Sequence, residues 1–182
     1  MTTGRPAAFL DRDGVINVDH GFVHRPDDLA FTPTAIEGIR LLNQADYRVI
    51  VVTNQSGVAR GIYGIADVDR FHARMQARLA SHGARIDAFY HCPYHPEGTV
   101  PAFSIEHADR KPAPGMLLRA MRDWNIPRLG SFLIGDRQSD VESATAAGIP
   151  ARLIPANHGD LAETVRVLLA THGRLNHPGA ME

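Results

Sequence analysis

The sequence predicts an α/β protein built on a doubly wound parallel sheet. Three observations carry that prediction. Strand-like apolar runs alternate with segments of helical periodicity almost throughout, the signature of βα units. The runs end abruptly at polar residues, as strands do where an open α/β sheet offers its ligand crevice. The 182 residues, 44% of them hydrophobic, supply enough chain for one domain with a substantial core.

The opening strand is Ala7-Ala8-Phe9-Leu10, which stops at Asp11-Arg12-Asp13-Gly14. Residues i and i+2 of an extended chain point the same way, so Asp11 and Asp13 emerge together, and Gly14 permits a sharp turn. A polar loop follows from Asn17 to Thr32. Thr34-Ala35-Ile36-Glu37 reads as a capping box opening a helix with an Ile36, Ile39, Leu41, Leu42 face. Val49-Ile50-Val51-Val52 is the second strand, ending at Thr53-Asn54-Gln55-Ser56-Gly57. Ile65, Val68, Phe71, Met75 and Leu79 recur at helical spacing, and Gly83 stops that helix.

Ile86 to His91 reads as a third strand, and 92–110 as an irregular stretch punctuated by Pro93, Pro96 and Pro101. Pro114 suits the first turn of a helix whose face is Met116, Leu117, Ala120, Met121 and Trp124. Phe132-Leu133-Ile134 leads into Gly135-Asp136. A helix through Ala147 ends at Gly148, Ala151 to Ile154 is a fifth strand, and Asp160 to Glu163 caps the last helix. The tail after Gly173 reads as frayed, and no repeat or low-complexity linker interrupts the chain.

Nineteen Lys+Arg against twenty Asp+Glu leave a formal charge of −1, so nothing electrostatic points to nucleic acid or an anionic membrane. The single cysteine, Cys92, rules out an internal disulfide and suggests a reducing compartment. No apolar run approaches the roughly 18–20 residues that span a bilayer. The N-terminus carries no signal-peptide pattern. The expectation is a soluble, cytoplasmic monomer acting on a small molecule.

Two crowded carboxylates need a cation, a shared proton or a cationic side chain. An EF-hand fits poorly, because its glycine belongs at loop position six. Singly, each polar strand end has a plain reading: Thr53 as a strand-terminal cap, Asp136 as a helix cap, Lys111 as half of a solvated basic pair. Together, at matching ends of a parallel sheet, they describe phosphoryl transfer through an aspartate. Asp11 attacks phosphorus, and Mg²⁺ sits among Asp11, Asp136 and the Asp13 carbonyl. Lys111 and Thr53 take phosphoryl oxygens, while the Asp13 carboxyl protonates the leaving oxygen and then activates water.

At these residues the sequence resembles the haloacid dehalogenase (HAD) superfamily. Asp11-Arg12-Asp13-Gly14, Thr53-Asn54-Gln55, Lys111 and Gly135-Asp136 match its four motifs. From about Phe9 to Ile154 the chain is similar to the D-glycero-D-manno-heptose 1,7-bisphosphate 7-phosphatases within it. The resemblance implies a Rossmann-like core, Mg²⁺ dependence and a place in making nucleotide-activated heptose for lipopolysaccharide or surface glycans. Only 42 positions separate Asp11 from Thr53 and 58 separate Thr53 from Lys111, so no cap domain fits. The resemblance makes Asp11 the nucleophile and Asp13 the proton donor, with Thr53 and Lys111 on the phosphoryl group and Arg110 on the substrate. It places Asp19, His20, Gly21, Phe22, Asn54, Gln55 and Ser56 around the sugar. Arg60 and Arg137 add positive charge.

The resemblance also implies a zinc loop, from which this sequence departs. The family's Cys-x-His reads Cys92-Pro93-Tyr94 here, and its Cys-x-Cys reads His107-Ala108-Asp109. Cys92, His107 and Asp109 with His95 or His91 remain legitimate ligand types. The favoured reading is a loop without zinc, held by packing and its prolines. Two other readings stay open: a histidinol-phosphate phosphatase or other small phosphomonoesterase, and a receiver module phosphorylated on aspartate without turnover.

Overall fold

The computed structural model describes residues 4–173. In chain order these form β1 (Ala7–Leu10), α1 (Ala35–Gln44), β2 (Arg48–Asn54), α2 (Ile65–Ala80), β3 (Ala88–Cys92), α3 (Gly115–Asp123), β4 (Phe132–Gly135), α4 (Gln138–Ala147), β5 (Ala151–Leu153) and α5 (Leu161–Gly173). The strands make one parallel sheet in the order β3-β2-β1-β4-β5. The expected doubly wound architecture is present. The expected frayed tail lies outside the described residues.

Period-two alternation on β1 assigns the two faces. Ala8 and Leu10 pack with Ile39 and Leu42 of α1, Phe71, Met75 and Leu79 of α2, and Leu161 and Val165 of α5. Ala7 and Phe9 pack the other way, with Met116, Leu117 and Ala120 of α3 and Ala144 and Ala147 of α4. All four β1 residues are completely buried, which is why this strand reads as an unbroken apolar run. Each fully buried Leu, Ile or Phe contributes roughly 1.5–3 kcal/mol. β1 is therefore fixed from both sides, and so is whatever follows it.

The order reverses direction at β1, with β2 on one side and β4 on the other. Asp11 follows directly, its backbone N–H donating to Ile134 of β4 at 3.0 Å. The carboxyl ends of β1, β2 and β4 thus meet at the topological switch point, where such sheets bind ligands. The 24-residue connection 11–34 and the 92–114 connection arch over that end. No separately folded insertion covers it among the described residues.

Three local expectations are adjusted. Thr34 lies at φ 60° and makes no cap hydrogen bond to α1. Its hydroxyl instead donates to Asp160 at 2.8 Å and accepts from the Ala162 N–H at 3.2 Å, joining α1 to the start of α5. Asp160 caps α5 as expected, accepting from the Glu163 N–H at 2.9 Å. β3 begins at Ala88 rather than Ile86: the Ile86 N–H donates to the Gln76 side chain at 3.0 Å, and the Val49 N–H of β2 goes to the Asp87 carboxylate at 2.8 Å instead of a backbone carbonyl. Pro114 stands just before α3 rather than within it. Gly148 ends α4 at φ 78°, in the left-handed region expected of a C-cap glycine.

Candidate active site

Asp11 and Lys111 form the floor. Lys111 is 4% exposed, and its ammonium donates to Asp11 Oδ1 at 3.0 Å, Asp140 Oδ1 at 2.6 Å and the Val52 carbonyl at 2.9 Å. Those three partners saturate its three donors. Its backbone is clasped by Asn54, whose amide accepts from Lys111 N–H at 3.1 Å and donates to the Lys111 carbonyl at 3.0 Å. Burial by itself would depress the amine's pKa, but Asp11 and Asp140 outweigh it and hold the pKa above its usual value. Burial raises the Asp11 carboxyl to about 7, with Lys111 opposing and Asp140 and Asp13 adding to the rise.

Asp140 is the functional residue that motif reading missed. It is completely buried on the first turn of α4, accepts Lys111, and closes a capping interaction by accepting from Arg137 N–H at 3.1 Å. The signal was present as Gly135-Asp136-x-x-x-Asp140, two acids one helical turn apart beside a strand end. The alternative reading of Asp136 as the cap of α4 is set aside, since Asp140 does that work.

Asp136 has other business. Its Oδ1 is buried with no hydrogen-bond partner, and burial, ahead of Arg137's opposing effect, raises its pKa. Oxygens of Asp11, Asp136 and Asp140 lie within 4.8 Å of one another. Gly14 sits at φ 83°, and a Cβ there would lie 2.5 Å from Asp136 Oδ2. A carboxylate oxygen with no hydrogen bond, 4.0 Å from Arg137 Nε and beside two further buried acids, fits a hard divalent cation with oxygen ligands. Both Asp140 oxygens are taken, by Lys111 and by the Arg137 N–H, whereas Asp11 is engaged through Oδ1, which leaves Asp11, Asp136 and nearby backbone oxygen as the donor set.

Asp13 is held by donors from several directions. Arg12 reaches Oδ1 through Nε and Nη2 at 3.1 and 2.9 Å, and Oδ2 through Nη2 at 3.0 Å. Asn17 donates to Oδ1 at 3.0 Å and Gln55 to Oδ2 at 2.9 Å. Gln55 also donates to Thr53 Oγ1 at 2.9 Å, and its own carbonyl accepts from the Tyr63 hydroxyl at 2.7 Å. The expectation that Gln55 lines the sugar site is therefore corrected. It is 1% exposed and spends its amide on Asp13 and Thr53.

Above the floor lies a cavity of about 530 Å³, lined by Asp19, Gly21, Phe22, Ser56, Arg60, Arg110 and Arg137 together with Tyr63, His95 and Ser139. Asn54 also reaches the wall, but its amide is bound to Lys111. His20 is exposed and is not among the residues lining the cavity. Arg137 donates to Asp19 at 3.3 Å, Arg110 to the Tyr94 carbonyl at 3.2 Å, and Arg60 approaches His95 at 3.4 Å. Burial lowers the Arg110 pKa from its usual value.

The proposed zinc ligands do not converge. Among the described residues, no cluster of three metal-ligating side chains includes Cys92, His95, His107 or Asp109. Cys92 is buried beside the Tyr94 carbonyl, His107 stacks on the Tyr94 ring at 4.1 Å, and Asp109 pairs with Arg119 at 2.8 Å. His95 Nδ1 accepts from Glu97 N–H at 3.0 Å. The residues that replace the zinc ligands stitch the loop directly.

The comparisons with known proteins bear on the family. Residues 108–167 match the family model described as "HAD-hyrolase-like". The D-glycero-beta-D-manno-heptose-1,7-bisphosphate 7-phosphatase of Rhodopseudomonas palustris is 49% identical over 146 residues, 80% of this chain and 81% of that one. The chain belongs to this phosphatase family. The Escherichia coli K12 member is 40% identical over 85% of this chain and 81% of its own. A D,D-heptose 1,7-bisphosphate phosphatase from B. bronchiseptica, solved with magnesium and phosphate, superposes with a TM-score of 0.79 at 33% identity, covering 91% of this chain and 99% of that one. The receiver-module reading falls with family membership, and the acceptor position agrees, since Asp11 follows the central strand while β3 ends at Cys92. No helix among the described residues is long and apolar enough to cross a membrane.

Proposed function

We propose that this chain is a Mg²⁺-dependent phosphatase that removes the 7-phosphate of D-glycero-beta-D-manno-heptose 1,7-bisphosphate, on the route to nucleotide-activated heptose. The observation that carries the chemistry is one arrangement: Lys111 bridges Asp11 and Asp140 beside a buried oxygen of Asp136 that makes no hydrogen bond. The beta anomer follows the names of the relatives and favours the bisphosphate over histidinol phosphate.

In this reading, the Asp11 carboxylate attacks the 7-phosphorus and the bond from phosphorus to the C7 oxygen breaks, leaving an aspartyl phosphate. The Asp13 carboxyl gives its proton to the departing oxygen. Asp13 then takes a proton from water as the water oxygen attacks the aspartyl phosphate, restoring Asp11 and releasing inorganic phosphate. Lys111 and the Thr53 hydroxyl carry the charge that builds on the phosphoryl oxygens. Asp11, Asp136 and the Asp13 carbonyl would hold Mg²⁺, whose charge would offset repulsion between the nucleophile and the phosphate. Arg60, Arg110 and Arg137 receive the distal 1-phosphate, and Asp19, Gly21, Phe22 and Ser56 face the sugar. The 92–110 loop needs no zinc, because stacking and ion pairs take the place of the ligands.

The test is phosphate release with Mg²⁺ from both anomers of heptose 1,7-bisphosphate, histidinol phosphate and fructose 1,6-bisphosphate. Metal analysis of the same preparation accompanies it. The beta bisphosphate should be turned over best, by a sample free of stoichiometric zinc. Faster turnover of histidinol phosphate overturns the substrate, and one tightly held zinc per chain overturns the reading of the loop.

A further inference from the structure

A completely buried cation takes no part in the mechanism above. Arg12, between the two aspartates, is completely excluded from solvent. Its guanidinium engages both Asp13 oxygens, donates to the Val23 carbonyl at 2.8 Å, approaches His72 Nε2 at 3.3 Å and lies 4.6 Å from the centroid of the Phe71 ring. Its nearest anion is Asp13, at 2.9 Å. Burying a cation costs several kcal/mol unless the geometry is excellent, and a hydrophobic residue at this position would pack without that cost. Packing therefore does not account for an arginine here.

His72 shows how the arginine is seated. Arginine can only donate, so Nε2 must offer it a lone pair. Burial first, then Arg12 and His91, push the His72 pKa down to about 2, keeping the ring neutral and able to accept. The ring is itself stacked on Phe89 at 4.3 Å. The same contact disposes of a competing idea. Asp69, His72 and His91 bring ligand atoms within 4.8 Å, but a neutral imidazole has one lone pair, and Arg12 holds it. A metal at this cluster would have to displace Arg12.

We propose that Arg12 is the positioning residue for the acid/base Asp13, its fork fixing the plane of that carboxyl for proton transfer to the leaving oxygen. A free aspartate side chain turns about two bonds. Two donors from one planar guanidinium remove that freedom, and Val23, His72 and Phe71 keep the guanidinium from moving with it. Asn17 and Gln55 support the same carboxyl from other directions, but neither presents a planar fork. Misplacing a general acid forfeits a share of the roughly 10²–10⁴-fold that such catalysis supplies.

The inference rests on reading Asp13 as the acid, and leaving-group dependence tests both separately. kcat/KM reports steps up to formation of the aspartyl phosphate. A sugar alkoxide needs the acid's proton to leave, whereas p-nitrophenolate does not. Arg12→Met and Arg12→Lys should therefore lose about 10- to 100-fold in kcat/KM on the heptose bisphosphate, and at least tenfold less on p-nitrophenyl phosphate. Lysine should not rescue, since it keeps the charge without the fork. Asp13→Asn sets the reference. If it shows no such selectivity, the acid assignment fails. If it does and the Arg12 variants lose both substrates equally, or neither, the positioning role is overturned, as it is by full rescue in Arg12→Lys. Should the Arg12 variants fail to fold, His72→Phe keeps the stack on Phe89 and removes the acceptor that seats Arg12. It should show the same selectivity at about three- to tenfold, and an equal loss on both substrates overturns the proposal.

Discussion

The floor of the site and its rim are built by opposite rules. On the floor, Lys111 has all three donors spent, Asp140 is fully buried, and Asp13 is gripped by Arg12, Asn17 and Gln55. On the rim, the Arg137 side chain is 64% exposed and Arg60 36%, and their side-chain contacts are long: Arg137 to Asp19 at 3.3 Å and Asp136 at 4.0 Å, Arg60 to His95 at 3.4 Å and Glu97 at 4.0 Å. The floor is organised before substrate arrives, so its polar groups cost nothing to reorganise during reaction. The rim stays wet and weakly tied, and ion pairs of that kind contribute about 0–1 kcal/mol. Floor residues should therefore govern kcat, and rim residues KM and substrate choice.

The largest effect that sharpens this contrast is Asp11→Asn. Turnover should fall by on the order of 10⁴-fold or more, because the amide cannot form the acyl phosphate. The metal-free fold should nonetheless be at least as heat-stable as wild type near pH 8, since the variant removes a buried anion that the native state disfavours. A clear loss of melting temperature would break the view of the floor as organised for chemistry at a cost in stability.

Asp140→Ala comes next. Lys111 would keep Asp11 but lose its shortest partner, so destabilisation should fall at the low end of the roughly 3–5 kcal/mol that breaking a buried pair costs. Activity should drop about 10²-fold through a misplaced ammonium. Urea denaturation with assay of the folded fraction checks both, and a change in KM alone would move Asp140 to the rim class.

The pH dependence follows from Asp11. Its pKa in the fold, about 7, lies above the 3.8 of an unperturbed aspartate. The folded state therefore binds the extra proton between those values. This group's contribution to metal-free stability is present below about pH 4 and is lost as pH rises toward 7. Mg²⁺ binding requires the ionised carboxylate, so it releases a proton and strengthens over the same interval. Melting curves should show a larger Mg²⁺-induced rise at pH 7.5 than at pH 5.5. The reverse order would remove Asp11 from the ligand set.

The smallest effects belong to the rim. Arg137→Ala and Arg110→Ala should each raise KM for the bisphosphate about tenfold, while p-nitrophenyl phosphate, with no distal phosphate, responds less. The melting temperature of Arg137→Ala should move by no more than a degree or two. An equal fall in kcat on both substrates would erase the distinction between floor and rim.

By itself the sequence determined the doubly wound sheet and the points where chemistry gathers. Apolar runs buried on both faces read as internal strands, and Asp11, Asp13, Thr53 and Asp136 stand where such strands end, with Lys111 in the connection before α3. Those are local statements, set by periodicity and by what must follow a strand. What only tertiary structure decided is which partner each polar group takes. Thr34 looks like a cap for α1 yet bonds to Asp160, 126 residues away, and Gln55 looks like a sugar contact yet binds Asp13 and Thr53. Asp140 and Arg12 read as a helix acid and a spacer until Lys111 and Asp13 are seen against them. A hydroxyl, an amide or a guanidinium can satisfy itself in many ways, and the choice among them is made by long-range packing that brings distant strand ends together.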